Sequence, residues 1–547
     1  MIAAALISFP VFTYASESSV EFDTIIKGGS IYDGSGGAPF KADVGIKGDR
    51  ITAVGDLGGK SAAAEIDAKG LAVSPGFVNM LSWSTASLIV DGRSQSEIRQ
   101  GVTTEIFGEG KSMGPLTEEM KRRTVSSQGD LKFDIAWTTL SEYLNYLEKR
   151  GISTNVGSFV GAGTVRENII GLENKKATPG QIERMCELVR SEMEAGAFGV
   201  GSSLDYVPDM YATTDELIAL CRVAARYGGM YVSHVRNEGD GLIEAVGELL
   251  RISREAGIAA EIYHLKAGGE RNWDKIDRVI SLVESARARG LRISADIYLY
   301  TAGSNRLASR LPAWAREGGD EAMLKRLRNP AMRAKIGAEM LARGRMPKTI
   351  LVGFNSERLR YLTGKTLEEA SRIRGKNEVE TILELVDEDN AAVRSASFVM
   401  SEENIRKEIL QPWVSLGSDA VSISAEGPFL KQSTHPRAYG NFARLLGKYV
   451  REEKVISLQE AIRRLTGFPA ANLGLDRRGL LKEGYFADVV VFDPDRIADR
   501  ATYDNPHQYA TGVKYVLVNG VRVIDNGEHT GAKAGRALRR LHPAGPT

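Results

Sequence analysis

The sequence predicts an α/β chain: a (β/α)8 TIM-like barrel with a small β-sandwich-like domain formed from both chain ends. Three observations carry that prediction. Apolar, strand-like runs, each followed by helical patterning, end near Leu81, Phe107, Val160, Ser203, His234, His264, Ile297 and Gly417. That is the alternation a closed parallel barrel needs. Ser203, His234, His264 and Ile297 follow one another at 31, 30 and 33 residues, the period of repeated βα units. Both chain ends have a different texture, short alternating strands broken by Gly-Gly and Gly-Asp turns.

Taken in order, Ile2–Tyr14 is an almost uninterrupted apolar run, too short to span a bilayer, and Thr13-Tyr14-Ala15 offers a small-residue cleavage context. Residues 1–16 therefore read as a secretory signal peptide, although no Lys or Arg precedes Lys27, and the chain as exported to the periplasm, the alternative being a cytoplasmic chain whose first residues are an ordinary buried segment. Residues 17–72 and 476–530 form the small β domain; Gly484–Asp493 is expected to be one strand and Val513–Val523 a hairpin. The barrel takes 73–475, with helices over Asp215–Ala225, Leu242–Ala256 and Asp274–Arg289. Two surplus strand-like runs, Thr349–Phe354 and Ser397–Met400, place an insertion at about 306–396, between the last two barrel strands. Residues 531–547 are a tail whose basic stretch, Lys533–Arg540, reads as a solvated extension.

Composition narrows the function. The 547 residues carry 71 basic and 70 acidic side chains, a balance that argues against nucleic acid or a polybasic membrane surface as partner. No stretch is long and apolar enough for a stable membrane span. Cys186 and Cys221 are the only cysteines, so there is neither a disulfide framework nor a cysteine-rich zinc module. Both fall in helix-patterned core. Glycines 157, 161 and 163 lack the acidic residue and βαβ context of a dinucleotide fingerprint.

In a βα barrel the loops after the strands form the active face, so polar residues at strand ends are the candidates. Glu109 sits at the second strand end, His234 and His264 at consecutive repeats, Tyr298 follows Asp296-Ile297, and Asp419 closes the set in Gly417-Ser418-Asp419. Two imidazoles on adjacent strand ends suit Zn2+, and a carboxylate completes three protein ligands with one position left for water.

Several segments together make the chain resemble the amidohydrolase superfamily, within it the N-acyl-D-amino-acid deacylase (D-aminoacylase) branch. They are Val73-Ser74-Pro75-Gly76-Phe77, Gly101-Val102-Thr103-Thr104, Tyr231 to His234, His264 to Lys266, Gly417 to Asp419, His435 to Gly440 and Gly484 to Asp488. The resemblance implies a metal-dependent hydrolase of an amide-type C–N bond. It gives His234 and His264 as metal ligands and Asp419 as the general base, able to touch the metal. Lys266, Tyr298, Ser304 and Arg437 would hold the acyl-amino acid, with Arg437 on its free carboxylate.

Two departures from that pattern matter. The His-x-His usual after the first strand is replaced by Leu81 and Trp83, neither a metal ligand. The usual metal-binding cysteine falls at Gly110, leaving Glu109 as a neighbouring substitute. The expectation is therefore one zinc ion per chain, on His234, His264 and either Glu109 or Asp419. The substrate is a small molecule with a free carboxylate, an N-acyl amino acid of D configuration. Alternatives are a related cyclic-amide or dipeptide hydrolase, and a degenerate, non-catalytic barrel that binds small metabolites. Nothing in the sequence speaks to oligomeric state.

Overall fold

The computed structural model describes residues 20–344 and 346–541. The signal-peptide segment lies outside the described residues.

The chain opens with β1 (Phe22–Ile31), β2 (Phe40–Lys47), β3 (Arg50–Gly55), β4 (Ala62–Asp67) and β5 (Ala72–Pro75). The barrel strands are β6 (Phe77–Asn79), β7 (Val102–Phe107), β8 (Asn155–Ser158), β9 (Val160–Gly161), β10 (Gly199–Ser203), β11 (Met230–His234), β12 (Ala259–Ile262) and β13 (Ile293–Ile297). β8 and β9 are two halves of one strand broken at Phe159, the first paired with β7 and the second with β10. After the insertion, β17 (Val414–Leu416) pairs in parallel with β13. The ring closes where Met80 N donates to Leu416 O (3.2 Å) and Asp419 N to Leu81 O (2.9 Å). All eight expected strand ends thus fall at the mouth of a closed parallel barrel.

The helices between strands follow their sequence patterns. In α1 (Thr214–Arg226) the Thr213 hydroxyl caps the start by accepting from Glu216 N. In α2 (Leu242–Ala256), Leu242, Ala245, Val246, Leu249, Ile252 and Ala256 form the buried stripe, and Gly257, at φ +67°, ends the helix in the left-handed region. The third, α3, runs Lys275–Ala288.

The insertion is a three-stranded antiparallel sheet of β14 (Ala302–Arg306), β15 (Thr349–Gly353) and β16 (Arg394–Phe398), ordered β14-β16-β15. It has its own core around Leu307, Met323, Leu351, Ile382 and Val386. It is tied to the barrel mouth: Gly269 N donates to Val399 O (2.8 Å) and Arg316 Nη1 to Asp205 O (2.9 Å).

The last strands, β18 (Val489–Phe492), β19 (Val513–Val518), β20 (Val521–Asp525) and β21 (Glu528–His529), join β1–β5 in one nine-stranded sheet. Ile26, Val44, Ile66, Val489 and Leu517 fill its core. Gly484–Asp488, expected to be strand, is a turn and an extended lead-in. The tail differs more. Instead of a solvated extension, residues 535–540 lie along the bottom of the barrel. Gly535 N bonds Ile152 O, Val156 N bonds Arg536 O, Leu538 N bonds Val156 O and Arg540 N bonds Gly196 O. Its arginines are used as well: Arg536 pairs with Asp49, Arg539 donates to Ser141 and Asn145, and Arg540 donates to Leu473 O.

A candidate metal centre at the barrel mouth

Glu109 leaves β7 in a turn that only glycine permits on either side. Gly108 and Gly110 have φ of +107° and +65°. A Cβ on Gly108 would stand 2.3 Å from Phe159 O, and one on Gly201 would stand 2.0 Å from Gly108 O. The bare glycines let this turn press against β9 and β10, which delivers the carboxylate into the mouth. Its Oε1 lies 3.1 Å from His234 Nδ1 and 3.3 Å from His264 Nε2, and accepts from Ser203 Oγ at 3.2 Å. Its Oε2 is buried without a partner.

His234 ends β11. His264 lies two residues beyond β12 at φ +37°, and its backbone N–H is held by Asp296 Oδ1 at 2.8 Å. The two rings meet edge to face with centroids 4.5 Å apart. Behind them, Glu238 Oε1 lies 3.0 Å from His264 Nδ1 and Oε2 lies 3.7 Å from His234 Nε2. Lys266 Nζ ion-pairs with Glu238 and donates to His264 O at 2.9 Å, with His264 Nδ1 at 2.8 Å. The Tyr206 ring stands edge-on to His234 at 5.3 Å.

Across the mouth, Asp419 (φ +47°) receives the Trp83 indole N–H on Oδ1 at 3.0 Å and faces Arg437 Nη1 through Oδ2 at 2.9 Å. Arg437 stacks 4.2 Å from the centroid of Tyr298, whose hydroxyl is buried without a partner. The Nε of Arg437 likewise lacks an acceptor, leaving a donor for an incoming carboxylate. Ser304 sits half-buried in the middle of β14. The next residue, Gly303 in reverse order along that strand, has its Cβ direction 3.4 Å from the Tyr298 hydroxyl, so the strand backs onto that ring. His435 donates from Nε2 to Ala302 O (2.8 Å) and accepts from Arg437 N at Nδ1 (3.1 Å), and burial pushes its pKa well below the usual range.

Electrostatics favour a cation between Glu109 and the imidazoles. Burial opposes ionisation of Glu109, yet His264 and His234 hold its carboxyl well below the usual carboxylate range. Burial and Lys266 oppose a proton on His264, yet Glu238, Glu109 and Asp419 draw its pKa up to about 10. Three carboxylates face two permanent cations here, so the mouth calls for positive charge. Glu109, His234 and His264 offer donor atoms mutually within 4.8 Å, the one such group among the described residues. Together with the orphaned Glu109 Oε2, this fits a divalent ion with three protein ligands and an open position.

The sequence-predicted residues fall into two sets. His234, His264 and Glu109 are brought together; Asp419 is turned to Trp83 and Arg437, and is not in the donor group. Leu81 is fully buried. Sequence reasoning assigned no role to Glu238, Tyr206 or Trp83, though all three follow strand ends and the same rule would have found them.

Barrel, strand-end ligands and appended sheet define an enzyme class: the chain belongs to the amidohydrolase family, whose pattern it matches over residues 64–524. It is 32% identical to a D-aminoacylase of Alcaligenes xylosoxydans xylosoxydans, across 96% of this chain and 99% of that protein. An N-acyl-D-glutamate deacylase of the same organism is 31% identical across 95% and 97%. The crystal structure of an N-acyl-D-glutamate deacylase from Bordetella bronchiseptica, complexed with zinc and a phosphonate inhibitor, superposes with a TM-score of 0.80 at 29% identity, over 95% of this chain and 99% of that one.

Proposed function

We propose that this protein is a zinc-dependent deacylase of N-acyl-D-amino acids with one ion per chain. The convergence of Glu109, His234 and His264 beside the Asp419–Arg437 pair carries the reading, and the deacylase relatives support it. An ion held by Glu109, His234 and His264 would lower the pKa of a water toward neutrality and would polarise the acyl carbonyl. Arg437 and the Tyr298 hydroxyl, with Lys266 and Ser304, hold the substrate carboxylate and so orient the scissile amide. Asp419 takes a proton from the attacking water as the C–O bond forms, then returns it to the amide nitrogen as the C–N bond breaks. The products are a carboxylate and a free amino acid.

We infer an acidic side chain on that amino acid, to be met by Arg310. Arg310, at the end of the short turn Leu307–Arg310 of the insertion, is half-buried, and burial lowers its pKa. The Tyr206 hydroxyl bears on it, and among the described residues no carboxylate pairs with it. The Tyr206 ring stands edge-on to His234 at 5.3 Å, which supports a role for Arg310 near the site. By contrast Arg316, on the same insertion, is already bound to Asp205.

The test is a substrate panel of N-acetyl-D-glutamate, N-acetyl-D-leucine, their L isomers, a cyclic ureide and a dipeptide, with and without chelator. Chelator-sensitive turnover of the D acids is expected; turnover of only ureide or dipeptide, or none by metal-loaded protein, refutes the reading. Arg310→Leu should lower kcat/KM for D-glutamate roughly 10- to 100-fold, the worth of a charged hydrogen bond, and leave D-leucine unchanged. Export, inferred from Ile2–Tyr14, predicts mature protein that begins close to Ser16 in the periplasmic fraction.

A further inference from the structure

Asp419 is the carboxylate to which the preceding reading gives the proton, and its orientation needs a cause. Its backbone is left-handed and tied to the first barrel strand by Asp419 N to Leu81 O (2.9 Å) and Trp83 N to Ala420 O (2.8 Å). These bonds fix the main chain but leave the carboxyl plane free to rotate about its side-chain torsions. Two contacts set that plane: Arg437 at Oδ2 and the Trp83 indole at Oδ1. Arg437 must also receive the substrate carboxylate, so its hold on Asp419 changes when substrate arrives. The indole has no such second duty. It is a donor only, it does not titrate, and it cannot ligate a metal.

We propose that Trp83 is a positioning residue for Asp419, its N–H fixing the carboxyl plane from the end of the first barrel strand, which lies next to the strand that carries Glu109. A neutral donor suits that task. It orients the anion without the full charge that a cation would place on it, and so without quenching its basicity. The neighbouring Leu81, fully buried and without a donor atom, leaves the indole as the polar contact from this strand end. The proposal rests on the assignment of Asp419 above, and the experiment separates the two.

Protein labelled with 15N at its five tryptophans gives indole N–H resonances, and the one lost in Trp83→Phe identifies Trp83. In Asp419→Ala that resonance should move upfield while the other four stay in place; an unmoved resonance overturns the contact, whatever the enzyme's substrate. In activity, Trp83→Phe should lower kcat roughly tenfold or more, with KM and bound metal within twofold of the parent. A kcat within twofold, or a loss carried by KM, overturns the positioning role. Benzothienylalanine incorporated at position 83 keeps the indole shape without the N–H and should reproduce the kcat loss, so a folding defect in Trp83→Phe leaves the proposal testable. If the parent protein deacylates nothing while the resonance shifts, the substrate reading falls and the Trp83–Asp419 contact stands.

Discussion

Replacing Glu109 with Gln tests the centre most directly. Glu109 is 3% exposed and supplies the one charged donor of the three, the other two being imidazoles. The amide preserves the side-chain shape, so the turn held by Gly108 and Gly110 need not move. What is lost is the negative charge opposite a buried cation, and removing one partner of a buried charge pair costs about 3–5 kcal/mol. At 1.4 kcal/mol per decade this weakens binding by roughly 150- to 4,000-fold. His234 and His264 remain as anchors, so binding should weaken and not vanish. The measurement is competition for Zn2+ against a chromophoric chelator at pH 7.5, read as a dissociation constant for each protein. An affinity for the variant within threefold of the parent would show that the ion does not sit on Glu109, and the charge argument would fall with it.

Three further outcomes follow from the packing. Burial, against the Ser203 amide, pushes the Asp209 carboxyl up from 3.8 to about 7. The folded state thus binds this proton more tightly, and its stability is full below about pH 4 and declines as pH rises toward 7. Asp209→Asn should therefore gain on the parent between pH 5 and pH 8, by roughly 2.6 kcal/mol at 1.36 kcal/mol per unit; urea unfolding at both pH values that shows an equal difference refutes it. Gly201→Ala puts a methyl 2.0 Å from Gly108 O, so zinc affinity and the thermal midpoint should fall together, and a drop in the midpoint alone would contradict the coupling of this glycine to the Glu109 turn. Truncation after Gly531 removes the four backbone bonds of residues 535–540 and should cost roughly 3 kcal/mol by calorimetry; an unchanged midpoint would mean the docked tail adds nothing.

What could be read in the sequence was whatever repeats. The βα period placed His234 and His264 because each occupies the same point of a repeat, and α2 matched its expected bounds because its apolar stripe and terminal glycine agree. Glu109 was visible as a strand-end acid between glycines, but its choice over Asp419 as third donor was not. That choice depends on how closely the turn can approach β9 and β10, which rests on glycines far away in sequence. Glu238 binds His264 and Lys266 from a loop with no periodicity. The tail misled for a related reason. Its basic side chains advertise solvent, whereas they and its backbone bond to partners, among them β8 and Asp49, from which it is separated by most of the chain.

The nine-stranded sheet sets a schedule for folding in the cell. Val489 in β18 pairs with Pro75 in β5, and residues 535–540 cover the start of β8. β17, which closes the ring against β6, is itself made only after the insertion. The first strands to leave the ribosome must therefore wait, with one edge unpaired, for nearly the whole chain to be synthesised. Contacts this distant form slowly, and unpaired edges invite association while they are exposed. The insertion, built on its own apolar core, can fold in the interval, whereas the terminal sheet is completed only when its last strands, Val489–His529, have emerged.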